Sequence, residues 1–238
     1  MAAGSRIRKK AFSILKRPSR AATHVQKGNE ALRSRRLAAA LEAYDAALEE
    51  DPRNSYAWNN KGVVLEALGR GLEALKCHNR AIALRPAYLE AWVNKSVALI
   101  HMGNFRAAHA SLDVAQDLAP NSELVWMNRG IAFGRDGRGE EALVCFDRAL
   151  ELDGGYTPAL MDKGTALATL GEFDDALRCY NGVLEIRPDF ADAWYHKGRI
   201  LLEVGDVEGA SVCLEKALML TPRFGEARAL LKQAREEM

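Results

Sequence analysis

The sequence predicts an all-α protein, a solenoid of six helix-turn-helix repeats followed by a C-terminal capping helix. Three observations predict it. A 34-residue pattern returns six times from Ala21 to Phe224 with no insertion or deletion. Trp58, Trp92, Trp126 and Trp194 mark one repeat position, and Gly62, Gly130, Gly164 and Gly198 each follow that position by four. Ala40, Ala74, Ala108, Ala142, Ala176 and Ala210 form an unbroken column, and Pro52, Pro86, Pro120, Pro188 and Pro222 recur near the end of the pattern. Periodicity this strict at this length is the mark of stacked helical hairpins, which offer an extended surface more readily than a catalytic pocket.

The elements follow in order. The repeats span 21–54, 55–88, 89–122, 123–156, 157–190 and 191–224. Within each, Gly69, Gly103, Gly137, Gly171 or Gly205 falls where the first helix must end, since glycine favours the position past a helix C-terminus. Proline stops the second helix. Small residues such as Gly62 and Ala74 let the two helices approach, and Trp58 or Leu65 fills the space between repeats. One hairpin cannot bury its apolar face alone, so the repeats must stack. The first repeat departs from the pattern, with His24 for the aromatic residue and Arg35 for the turn glycine. Ser96 and Gly154 are further departures. Residues 225–238 read as the cap, with Ala227, Leu230, Leu231 and Ala234 on one stripe.

The order aromatic, Gly, large apolar, Gly, Ala, aromatic, Ala, Pro resembles the tetratricopeptide repeat. The second repeat reads Trp58, Gly62, Leu65, Gly69, Ala74, Ala81, Pro86, and the fourth Trp126, Gly130, Phe133, Gly137, Ala142, Phe146, Ala149. The resemblance implies a right-handed α-α superhelix whose concave face is lined mainly by first helices. It also implies a non-enzymatic scaffold or adaptor for protein partners.

Composition bounds the alternatives. The net charge of +1 gives no global case for nucleic acid. No apolar run approaches the roughly 20 residues of a membrane span. Cys77, Cys145, Cys179 and Cys213 share one repeat position, held elsewhere by Ala43 and Ser111. They therefore read as small packing residues, as reduced thiols of a cytoplasmic protein, and not as disulfides. His24, His78, His101, His109 and His196 lack the spacing of helical metal ligands. With no nucleophile or phosphate-loop motif either, no enzyme activity, metal or cofactor is expected.

Attention moves to the groove. The sixth position of each repeat reads Gln26, Asn60, Asn94, Asn128, Asp162 and His196. A carboxamide both donates and accepts, so Asn60, Asn94 and Asn128 are candidates to pair with the backbone of an extended peptide. This is similar to the asparagine ladder in the repeat domain of the O-linked N-acetylglucosamine transferase, though Gln26, Asp162 and His196 depart from it. The alternative is a local hydrogen-bonding role. Val63, Val93, Val97, Ile100, Met127 and Ile131, with Met161, supply an apolar strip around the asparagines, unless neighbouring side chains cover it.

Two other ligand classes are weighed. Repeat modules that grip a chaperone's acidic C-terminal tail use cations, but the equivalent positions hold Val25, Asn29, Asn60, Glu90 and Asn94 in one register. In the next they hold Asn59, Val63, Asn94, Leu124 and Asn128. Such a tail is therefore not expected as a partner. Position seven is Lys27, Lys61, Lys95, Arg129, Lys163 and Lys197. These cations either draw an acidic ligand or pack along the seam between repeats, balanced by second-helix acids such as Glu50, Glu151 and Glu185.

Residues 1–20 carry +7, from Arg6, Arg8, Lys9, Lys10, Lys16, Arg17 and Arg20, against a whole-chain charge of +1. This basic arm reads as a polar extension, an amphipathic membrane anchor or organellar targeting helix, or, least favoured, a nucleic-acid contact. The leading expectation is an adaptor holding an extended peptide or partner helix in its groove. The alternatives are an assembly factor localised by the arm and a recognition subunit for a separate catalytic partner.

Overall fold

The computed structural model describes residues 19–237, which form thirteen α-helices and no strand. Arg6, Arg8, Lys9, Lys10, Lys16 and Arg17 of the basic arm lie outside the described residues. The first helices of the repeats are α1 (Arg20–Arg33), α3 (Ser55–Ala67), α5 (Leu89–His101), α7 (Glu123–Arg135), α9 (Thr157–Leu170) and α11 (Ala191–Glu203). Their partners are α2 (Leu37–Glu50), α4 (Gly71–Leu84), α6 (Phe105–Leu118), α8 (Gly139–Leu152), α10 (Phe173–Ile186) and α12 (Val207–Leu220). The chain closes with α13 (Gly225–Glu237).

Local chemistry explains where these helices begin and end. Ser19, Asn54 and Ser122 cap α1, α3 and α7, each accepting from a backbone N–H three residues on. Between the two helices of a repeat the chain reverses through a left-handed residue. Gly69, Gly103, Gly137, Gly171 and Gly205 take φ between 71° and 84°, where a Cβ would clash. Arg35 makes the same turn at φ 54° without being glycine. Proline falls two residues beyond the second helix and has a further task. The indole N–H of Trp58, Trp92, Trp126 and Trp194 donates to the carbonyl of Pro52, Pro86, Pro120 and Pro188, at 3.0, 2.8, 3.4 and 2.9 Å. Arg228 of α13 occupies the tryptophan position and donates to Pro222 O at 2.6 Å.

The described residues form two compact units, one up to Ala98 and one from Leu99 on. The N-terminal unit buries Ala31, Ala40, Tyr44 and Val64 together, and Ala81, Tyr88 and Ala91 in a second cluster. In the C-terminal unit, Leu167, Ala176, Cys179, Tyr180 and Ile200 pack as one core cluster. There a Cβ on Gly130 would come 2.6 Å from Phe146 Cε1, so glycine sets the distance between α7 and α8. Leu214 and Ala217 of α12 pack on Ala227 and Leu231 of α13. Without α13 that α12 surface would face water.

All four cysteines are buried and free. Burial pushes the Cys145 thiol up to about 11 and raises the other three, so they stay protonated and inert.

Candidate functional site

In the N-terminal unit, α1, α3 and α5 meet through side-chain amides. Asn29 Oδ1 accepts from Tyr44 Oη at 2.7 Å and from Asn60 Nδ2 at 3.1 Å. Asn59 Nδ2 donates to Asn60 Oδ1 at 3.3 Å. Asn59 Oδ1 in turn accepts from Asn94 Nδ2 at 3.1 Å and lies 3.1 Å from His78 Nδ1. An amide oxygen only accepts, so with this amide assignment His78 carries its proton on Nδ1. The chain Tyr44–Asn29–Asn60–Asn59–Asn94 thus joins three successive first helices, with His78 as a branch.

His78 occupies the repeat position held by Tyr44, Phe146 and Tyr180 and is fully buried against Gly62. Desolvation lowers its pKa to about 4, and its Nε2 is buried without a partner. It is a core residue in this repeat. Its spacing in the sequence excludes metal ligation, while its register with Tyr44 and Phe146 is the signal for a core role.

The expected groove residues separate by their environments. Asn60 and Asn94 are half-buried, with their N–H groups spent on Asn29 and Asn59. Asn128 is 4% exposed and donates to Leu124 O of its own helix at 2.8 Å. Val63, Val97, Met127 and Ile131 are half-buried. Val93 and Ile100 are each 3% exposed, which corrects their assignment to a surface strip. The reason at Val93 is its register. Asn59 holds the same repeat position and turns inward to its own second helix, at His78.

Apart from exposed Lys27, the cation column packs along the seam. Lys61 pairs with Asp45 at 2.5 Å, Arg129 with Asp113 at 2.8 Å, and Lys163 with Asp147. Lys197 donates to Asn181 Oδ1 at 2.7 Å. Lys61, Lys95 and Lys197 also lie over the rings of Trp58, Trp92 and Trp194, at 5.6, 5.0 and 5.7 Å. The balancing acids are aspartates sixteen residues earlier in the chain, not Glu50, Glu151 and Glu185. Three of the six charges are offset by aspartates, and Lys95 and Lys197 lie over tryptophan rings, which reduces what the column offers an acidic ligand.

In the C-terminal unit a cavity of about 400 Å³ opens between α7 and α9 above Phe146 of α8. Gly130, Ile131 and Gly134 line one side, and Asp162, Thr165 and Thr169 the other. Burial pushes the Asp162 carboxyl up to about 6. It has no hydrogen-bond or ion-pair partner among the described residues. No group of three or more His, Cys, Asp or Glu among these residues is placed to hold a metal ion. No helix among them is long and apolar enough to cross a membrane.

Comparisons with known proteins agree with this architecture. A tetratricopeptide repeat family model matches residues 25–88, 93–157 and 161–215. No curated protein sequence matches the chain significantly. Among solved structures, the chain is similar to one from the APC/C hetero-tetramer Cut9–Hcn1, at TM-score 0.79 and 19% identity. That match covers 92% of this chain and 44% of the other, so the chain spans less than half of that relative's length. A tetratricopeptide repeat protein from Parabacteroides merdae gives TM-score 0.77 and 20% identity over 96% and 88% of the two chains. YrrB, described as having an unusual peptide-binding site, gives 0.55 and 24% over 81% and 99%. At such identities the likeness carries the fold alone. With the family model covering most of the sequence, the chain belongs to the tetratricopeptide repeat family.

Proposed function

We propose that the protein is an interaction scaffold whose first-helix faces hold an extended peptide or partner helix. Tetratricopeptide repeat proteins are in general scaffolds for protein partners, and the peptide-binding site described for YrrB is in keeping with this. The observation that carries the reading is the cavity between α7 and α9, where half-buried Ile131 lies beside small Gly130 and Gly134. Half-buried apolar side chains next to a preformed hollow are a binding-site signal. Met127 adds an adaptable contact on α7, and Val63 and Val97 give the N-terminal unit a comparable apolar element.

The amides contribute differently from a free ladder. Asn60 and Asn94 hold neighbouring helices in register, and this rigid backing positions the half-buried valines. Photo-crosslinking tests the reading. A benzoylphenylalanine at Met127 or Val63 is expected to label a pool of degenerate peptides far more than one at Val144, which is exposed on α8. Equal labelling at Val144 would remove the first-helix faces as the binding site.

A further inference from the structure

Asp162, like His196, breaks the amide pattern of its column. Gln26 donates to Glu30, Asn60 to Asn29, Asn94 to Asn59 and Asn128 to Leu124 O, so each of these amides is matched by an acceptor of the protein. A carboxylate has nothing to donate, and Asp162 receives nothing. Its neighbour Lys163 is engaged by Asp147 of α8. Arg135 lines the same cavity, yet it forms no ion pair with Asp162 among the described residues. Burial alone raises the Asp162 carboxyl, and no cation offsets it. A half-buried carboxylate without a counter-charge, open to a hollow, is an incomplete pair.

The rest of the cavity has the shape and chemistry of a stem site. Gly130 and Gly134 leave room on the α7 wall, and Ile131, Phe146 and Leu170 provide apolar surface. Long cationic side chains lay their methylenes on such surface while the charged end seeks an acid. We propose that this cavity receives a lysine or arginine side chain of the bound peptide, with its charged end on Asp162. The inference rests on the peptide-scaffold reading above. It makes the C-terminal unit selective for a basic residue, whereas a face of amides and aliphatics alone would accept any sequence.

Fluorescein-labelled peptide pools, with a central Arg, Lys or Gln and the other positions randomised, separate the two ideas by anisotropy. The full chain is expected to bind the Arg and Lys pools about tenfold more tightly than the Gln pool, as a charge-assisted contact contributes. Asp162→Asn places in this column the amide found at Asn60, Asn94 and Asn128. It is expected to bind all pools alike, at the strength the full chain shows for Gln. Equal binding of every pool by the unaltered chain overturns the inference and leaves the scaffold reading standing. A basic preference that survives Asp162→Asn also overturns it, since the selectivity then lies elsewhere. Failure of every pool to bind removes both.

Discussion

His78 lies beneath Gly62 so closely that a Cβ there would come 2.5 Å from the imidazole Cε1. The ring is fully buried, its Nδ1 faces Asn59 and its Nε2 faces nothing polar. The contact makes a titratable group part of the core of the N-terminal unit, at a position where the other repeats place tyrosine, phenylalanine or leucine.

Acid sensitivity follows from that placement. The His78 pKa is lowered from 6.5 to about 4 by burial. Below pH 6.5 the unfolded chain takes up a proton that the folded chain refuses, so stability falls as pH drops and levels off below about 4. The full loss is about 3 kcal/mol at 1.36 kcal/mol per unit. His78→Phe, the residue at the equivalent position 146, is expected to remove that component. Urea midpoints of the two proteins measured from pH 7 to pH 4 should diverge in favour of the variant as acid is added. Parallel curves would show that His78 does not titrate with folding.

Arg35 offers the opposite change, a gain. Its φ of 54° matches the five turn glycines, but its Cβ is disfavoured there. Arg35→Gly relieves that clash at the expense of a more flexible unfolded chain, for a net gain of about 0.5–1 kcal/mol. Arg35→Ala keeps the Cβ and is expected to show no gain. Thermal unfolding of the three proteins side by side checks the order.

Asn59 is the branching point of the amide network and is 3% exposed. Asn59→Ala leaves the His78 Nδ1 proton and the Asn94 amide without their acceptor. An unsatisfied buried donor costs about 1–3 kcal/mol. Combined with His78→Phe, which removes one of those donors, the loss should be smaller than the sum of the separate changes. A denaturation double-mutant cycle measures this, and strict additivity would mean the bond contributes nothing.

Much of the architecture could be read before any coordinates. The Trp and Pro columns gave the helix pairs, and the glycine column gave the left-handed turns, because both depend on residues near in sequence. Trp58 reaches Pro52 only six positions away. The apolar strip was partly legible. Val63, Val97, Met127 and Ile131 keep exposure, whereas Val93 and Ile100 do not. A helical wheel ranks faces but does not say which neighbour covers each one.

The amino-acid sequence alone determined the all-helical class, the repeat length and the turns, since each is written in a local spacing. Only the tertiary structure decided which polar groups are spent and which are left. Asn60 finds Asn29 across 31 residues and Asn94 finds Asn59 across 35, because stacking brings neighbouring heights of successive helices together. Asp162 stands at the same height in its own helix with no such donor. Hydrogen-bond partners chosen by packing, not by adjacency, separate the amides that build the scaffold from the carboxylate still open to a ligand.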